Sequence, residues 1–135
     1  MIEITGKYTT CNGTDVIELT TVGTYSHVDG KYYMTYREQS ENMGNVITTM
    51  VSEGNGKVIL SRSGDITSRL LLESGKRHTC SYDVNGMQLI MGVFSEKVIT
   101  ELNEKSGHIY LSYTLDINSD LISKNEIEIK INQED

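Results

Sequence analysis

Apolar and polar residues alternate most plainly toward the C-terminus. There Ile109, Leu111, Tyr113, Leu115 and Ile117 share one face, and His108, Tyr110, Ser112, Thr114 and Asp116 share the other. A period of two marks a half-buried strand, because successive side chains leave a pleated backbone on opposite faces. The last segment repeats the pattern, with Ile127, Ile129 and Ile131 set against Glu126, Glu128 and Lys130. Turn dipeptides recur at about the length of one strand: Asn12-Gly13, Asp29-Gly30, Asn55-Gly56, Ser74-Gly75, Asn85-Gly86 and Ser106-Gly107, with Gly64-Asp65 between. Glycine and asparagine accept the positive φ that tight hairpins require, and the segments between them are rich in Val, Ile, Thr and Tyr, which suit a pleated surface. The pattern predicts about ten strands, over 2–10, 15–25, 31–38, 46–53, 57–62, 66–73, 77–83, 86–102, 107–117 and 122–132.

One segment is ambiguous. Ser95 is placed to cap a helix carrying Val98, Ile99 and Leu102, with Gly107 as its stop. A long strand bent at Gly92 is the preferred reading, since long strands that curl at glycine are common where a sheet closes on itself. The chain has no proline, so every strand can donate its full ladder of amides. Short antiparallel strands with no helical cover leave two sheet edges open to aggregation, and closure removes them. The predicted fold is therefore all-β: an antiparallel meander closed into one barrel over residues 1–135, with a Greek-key β-sandwich as the alternative.

Size and charge narrow the picture. A chain of 135 residues suits one domain with one core. The net charge of −7 argues against nucleic-acid or anionic-membrane binding, which rely on basic surfaces. No apolar run is long enough for a membrane helix, and the N-terminus, Met1-Ile2-Glu3-Ile4-Thr5, lacks the features of a secretory signal, so a cytoplasmic location is expected. Cys11 and Cys80 read as small buried hydrophobes rather than a disulfide. His27, His78 and His108 lie on separate segments at surface or rim positions, without metal-ligand spacing, so neither metal nor cofactor is implied.

Several segments together resemble a known family. They are Gly30-Lys31-Tyr32-Tyr33-Met34-Thr35-Tyr36-Arg37-Glu38, Val51-Ser52-Glu53-Gly54, Leu60-Ser61-Arg62-Ser63-Gly64, and Gly107-His108-Ile109-Tyr110-Leu111-Ser112-Tyr113. In these the chain is similar to the YwiB-like family of small bacterial proteins with a calycin-like (lipocalin-like) β-barrel. The resemblance implies a barrel related in architecture to lipocalins and fatty-acid-binding proteins, and it brings no activity or site residues. True lipocalins carry Gly-x-Trp in the first strand; this chain has no tryptophan and offers Gly23-Thr24-Tyr25, so their ligands do not transfer.

The meander also makes a geometric prediction. Alternate strands end at one rim, and apolar parity turns Tyr36, Glu38, Arg62 and Tyr82 inward near that mouth, beside a polar flap at Gln39–Asn45. Such a cluster suits a small, partly apolar or anionic ligand, with Arg62 as a fork-shaped donor. The structural alternative is that Glu38 and Arg62 satisfy each other as a buried pair. Met34, Met50, Met87 and Met91 supply either an adaptable lumen or gap-filling core. The cations Lys57, Arg62, Arg69, Lys76 and Arg77 are dispersed between two rims, not gathered into an anion track. Three function classes follow. The first is ligand binding in the lumen. The second is a non-catalytic scaffold with a packed lumen, using an outer face or open edge for a protein partner or a homodimer. The third, an enzyme at the same mouth, requires Glu38 as general acid or base with a shifted pKa. No nucleophile elbow or partnered triad supports it.

Overall fold

The computed structural model describes residues 1–40, 44–54, 56–84 and 86–132. They form eleven antiparallel strands: β1 Ile2–Thr10, β2 Gly13–Thr21, β3 Thr24–Val28, β4 Lys31–Ser40, β5 Gly44–Gly54, β6 Lys57–Gly64, β7 Ile66–Glu73, β8 Arg77–Val84, β9 Met87–Leu102, β10 Ser106–Ile117 and β11 Asp120–Asn132. Hydrogen bonding joins them in the order β2-β1-β11-β10-β9-β8-β7-β6-β5-β4-β3. From β3 to β11 this is a hairpin meander, and β1 and β2 add to its far end.

The sheet rolls so that its two ends meet. The segment predicted as one strand over 15–25 is broken at Val22-Gly23 into β2 and β3, which lie at opposite ends of the ladder. Gly23 makes the crossing because its missing side chain lets the backbone pass close to the Thr35 carbonyl. A Cβ there would also come within 2.6 Å of Ile2 Cδ1. The Tyr25 hydroxyl then donates to the Asn103 carbonyl at 2.7 Å, tying β3 to the turn between β9 and β10. Buried residues from all around the cylinder, among them Ile2, Met34, Leu60, Leu70, Ile109 and Ile129, form one core.

Turn chemistry matches the sequence at Asp29-Gly30, where both residues take positive φ. It differs at Ser106-Gly107, which opens β10 instead of forming the turn. Asn103 does that work, its Oδ1 accepting from the amides of Lys105 and Ser106 at 2.9 Å each. The ambiguous segment forms no helix: β9 runs unbroken from Met87 to Leu102 and the Asn103 turn leads into β10. Its irregularity is not at Gly92 but at Glu96: Ser112 pairs with Lys97 while Tyr113 pairs with Ser95. Gly92 instead leaves room for the Arg77–Asp116 ion pair, which closes at 2.7 Å across the space a side chain would fill.

Two burial expectations are corrected. Cys11 sits in the β1–β2 turn and is exposed, whereas Cys80 is buried; both are free thiols. Met34 and Met50 are core and Met91 packs against it, but Met87, beside the β8–β9 turn, is exposed. Turn positions are held by backbone hydrogen bonds, so an apolar side chain there need not be covered. The cations of the 57–77 segment are dispersed as expected. Lys76 pairs with Glu73 at 3.2 Å and Arg77 with Asp116, at the rim opposite Arg62.

Candidate functional site

Register, more than sequence proximity, assembles a polar belt inside the barrel. Tyr36 on β4 lies beside Thr48 on β5, Thr48 beside Arg62 on β6, Arg62 beside Ser68 on β7, and Ser68 beside Tyr82 on β8. All five face inward because they share parity with core residues. One inward step down, Met34, Met50, Leu60 and Leu70 form the matching apolar row. On the other side of the cylinder Tyr8, Asn125 and Tyr113 stand side by side on β1, β11 and β10. Tyr113 and Asn125 are buried, and Tyr8 is partly so.

The space they enclose exists because of Gly6. The inward row of β1 reads Ile2, Ile4, Gly6, Tyr8, and the vacancy at Gly6 is roofed by the Tyr8 ring, whose hydroxyl lies 2.8 Å from where a Cβ would sit. Below and beside it is a cavity of about 170 Å³. Ile4, Leu19, Met50, Leu60 and Ile127 make its apolar wall, and Tyr8, Tyr36, Glu38 and Arg62 its polar one. The cavity opens sideways. β3 pairs with β4 no further than Thr35, so among the described residues the edge of β4 opposite β5 beyond that residue, like the outer edge of β2, has no strand beside it. Ile17 has inward parity, paired with Gly6, yet is 45% exposed, which locates the opening between β2 and the end of β4.

Arg62 is the electrostatic centre. Burial alone disfavours its charge, but Tyr113, Tyr82, Tyr8 and Glu38 around it more than offset this, so the guanidinium is held above its usual range and stays ionised. Its Nε is sealed from solvent without a hydrogen-bond partner, and so is the Ser68 hydroxyl beside it in register. Burial pushes the phenols of Tyr36 and Tyr113 well above the ordinary tyrosine value. For Tyr36 the charge of the Glu38 carboxylate adds to this. Tyr8 is raised by burial and drawn partly back by the nearby Arg62 guanidinium.

Glu38 and Arg62 do not form the structural ion pair. Both line the cavity, but among the described residues no salt bridge within 4.0 Å joins them. Glu38 instead accepts a hydrogen bond from the Thr48 hydroxyl at 3.5 Å. Of the four residues the sequence singles out, Tyr36, Glu38 and Arg62 line one cavity. Tyr82 stands behind them, close enough to Arg62 to act on its charge. The sequence reading missed Tyr8, Thr48 and the vacancy at Gly6. The parity of Ile2, Ile4, Gly6 and Tyr8 was a signal for two of these, whereas Thr48 needed the register. The tip of the polar flap, 41–43, lies outside the described residues.

The histidines take rim and surface roles. His78 meets Glu73 at 3.1 Å, His108 meets Glu128 at 3.4 Å, and His27 stacks on Tyr32. Among the described residues no group of His, Cys, Asp and Glu could hold a metal ion, and no helix is long and apolar enough to cross a membrane.

Comparison with known proteins places the fold. A family model described as a domain of unknown function, DUF1934, matches residues 2–129. The "Uncharacterized beta-barrel protein YwiB" of Bacillus subtilis (strain 168) is 26% identical over 103 residues, which cover 76% of this chain and 71% of that protein. The crystal structure of the ywiB protein from Bacillus subtilis superposes with a TM-score of 0.86 at 20% identity, covering 99% of this chain and 90% of that one.

Proposed function

This chain belongs to the DUF1934 family, and from that premise we infer that its barrel binds a small, partly apolar molecule in the cavity beneath Tyr8. The observation that carries this reading is an incompletely satisfied cation in a cavity that also holds an unpaired carboxylate. Among the described residues Arg62 has a sealed Nε without a hydrogen-bond partner, and Glu38 lines the same cavity without an ion pair to it. Buried polar groups are normally satisfied, and exceptions call for a reason such as a ligand. Size agrees, since a cavity of roughly 150 Å³ holds a benzene-sized molecule. The apolar wall would take the body of the ligand, and Arg62, Glu38 and Tyr8 its polar end. The calycin-like reading of the barrel supports this by analogy of architecture alone.

The test is ligand-observed NMR with a library of benzene-sized fragments against the wild type, Arg62→Ala and Leu19→Trp, the last filling the cavity from the edge strand. Fragments that bind the wild type and lose affinity in both variants support the reading. Binding unchanged in both variants would refute it.

A second reading, a scaffold that docks a partner strand, is favoured by the edge at β2. This nine-residue strand ends the ladder, and Val16 and, just beyond it, Val22 are 62% and 82% exposed. A free edge with exposed apolar side chains is a template for strand addition. Light scattering on size-exclusion peaks, with and without a lysine at Val16, separates this reading from a monomer.

A further inference from the structure

The geometry points to a neutral ligand head that carries a hydrogen-bond acceptor and a donor side by side, as in a primary carboxamide, a urea or a lactam. This rests on the binding reading above and specifies its chemistry.

The ionised groups lining the cavity are Arg62, Glu38 and, at its mouth on β2, Glu18. Arg62 and Glu38 cancel, so a carboxylate or phosphate drawn toward the guanidinium would meet Glu38 in the same cavity, with no second cation among its lining residues to offset it. Like charges brought together in such a setting are strongly disfavoured.

Geometry then selects the head group. An ion pair closed on itself would leave a ligand nothing to hold, but Glu38 on β4 and Arg62 on β6 line one cavity with β5 between their strands, and among the described residues no ion pair joins them. Thr48 donates to Glu38, and Tyr8 and Tyr36 line the same cavity beside the two charges. The guanidinium offers N–H donors and the carboxylate offers lone pairs. A molecule bridging them must present an oxygen to Arg62 and an N–H or O–H to Glu38, which a carboxamide does with its two adjacent atoms. Its body then lies against Leu19, Met50, Leu60 and Ile127, where the volume admits a single ring or a short branched chain.

The experiment uses matched probes on the intact chain: benzamide, benzoate and toluene, titrated at neutral pH and followed by chemical shifts and calorimetry. Benzamide binding at least about tenfold tighter than benzoate supports the inference. Glu38→Gln removes the opposing carboxylate and leaves Arg62 uncompensated, so in that variant the preference should turn toward benzoate. Benzoate binding the wild type as tightly as benzamide would overturn the neutral-head inference and leave the pocket standing, as would toluene binding alone. If none of the three binds, the pocket reading itself falls. The wild-type comparison decides the matter even if Glu38→Gln does not fold.

Discussion

If the polar belt is kept for a ligand, removing it should make the empty protein more stable. The test is the double substitution Glu38→Gln with Arg62→Met, which deletes both charges lining the cavity and keeps similar side-chain lengths. A sealed, unpartnered donor such as Arg62 Nε costs about 1–3 kcal/mol in the folded state. Replacing buried charges with apolar groups of similar volume is often neutral or stabilising by roughly 1–4 kcal/mol. Met is narrower than Arg and leaves part of the space unfilled, which offsets some of this gain. The net expectation is a stabilisation of about 1–2 kcal/mol, or roughly 3–8 °C in Tm for a chain of this size. Arg62→Met alone should instead destabilise, because it strands Glu38 in a barrel without its compensating cation. Guanidinium denaturation followed by far-ultraviolet circular dichroism and tyrosine fluorescence suits a chain with eight tyrosines and no tryptophan. A double variant falling more than about 1 kcal/mol below wild type, well outside the usual range for a harmless change, would show that the belt is structural and refute the reasoning.

Two further outcomes follow from other parts of the barrel. Tyr8, Tyr25, Tyr36 and Tyr113 all have phenol pKa values raised mainly by burial, Tyr25 to about 12, so the folded state keeps protons that the unfolded chain gives up. Stability should then hold up to about pH 10 and fall as pH climbs through the folded values, a loss that Tyr113→Phe should reduce; a flat stability profile from pH 9 to 12 would count against the burial assigned to these rings. In Gly92→Ala the new methyl would collide with the Arg77 guanidinium and come within 2.7 Å of Asp116 Oδ1, so the ion pair must open. Because hydrogen bonding and charge from Arg77 hold the Asp116 carboxyl below its usual range, the wild type loses this support as pH falls below about 4, and the Gly92→Ala variant should lack that step in its acid denaturation curve.

Much of this protein is determined by local chemistry that any stretch of the chain carries by itself. Alternation at period two in β10 and β11, and residues tolerant of positive φ at Asp29-Gly30 and Gly75, specify strands, hairpins and an inside face without reference to the rest of the fold. Parity alone was therefore enough to turn Tyr36, Glu38, Arg62 and Tyr82 inward. Tertiary structure decided whatever depends on which residues meet across the lumen. The break at Val22-Gly23 sends β2 and β3 to opposite ends of the sheet, and only a rolled sheet brings β2 back beside β4 to leave an opening there. The separation of Glu38 and Arg62 is set by the β4–β5–β6 register, so two oppositely charged residues of matching parity line one cavity without an ion pair. Strand periodicity is a property of neighbours in sequence, whereas a cavity is a property of neighbours in space, and Gly6 beneath Tyr8 becomes a vacancy only when the opposite wall is in place.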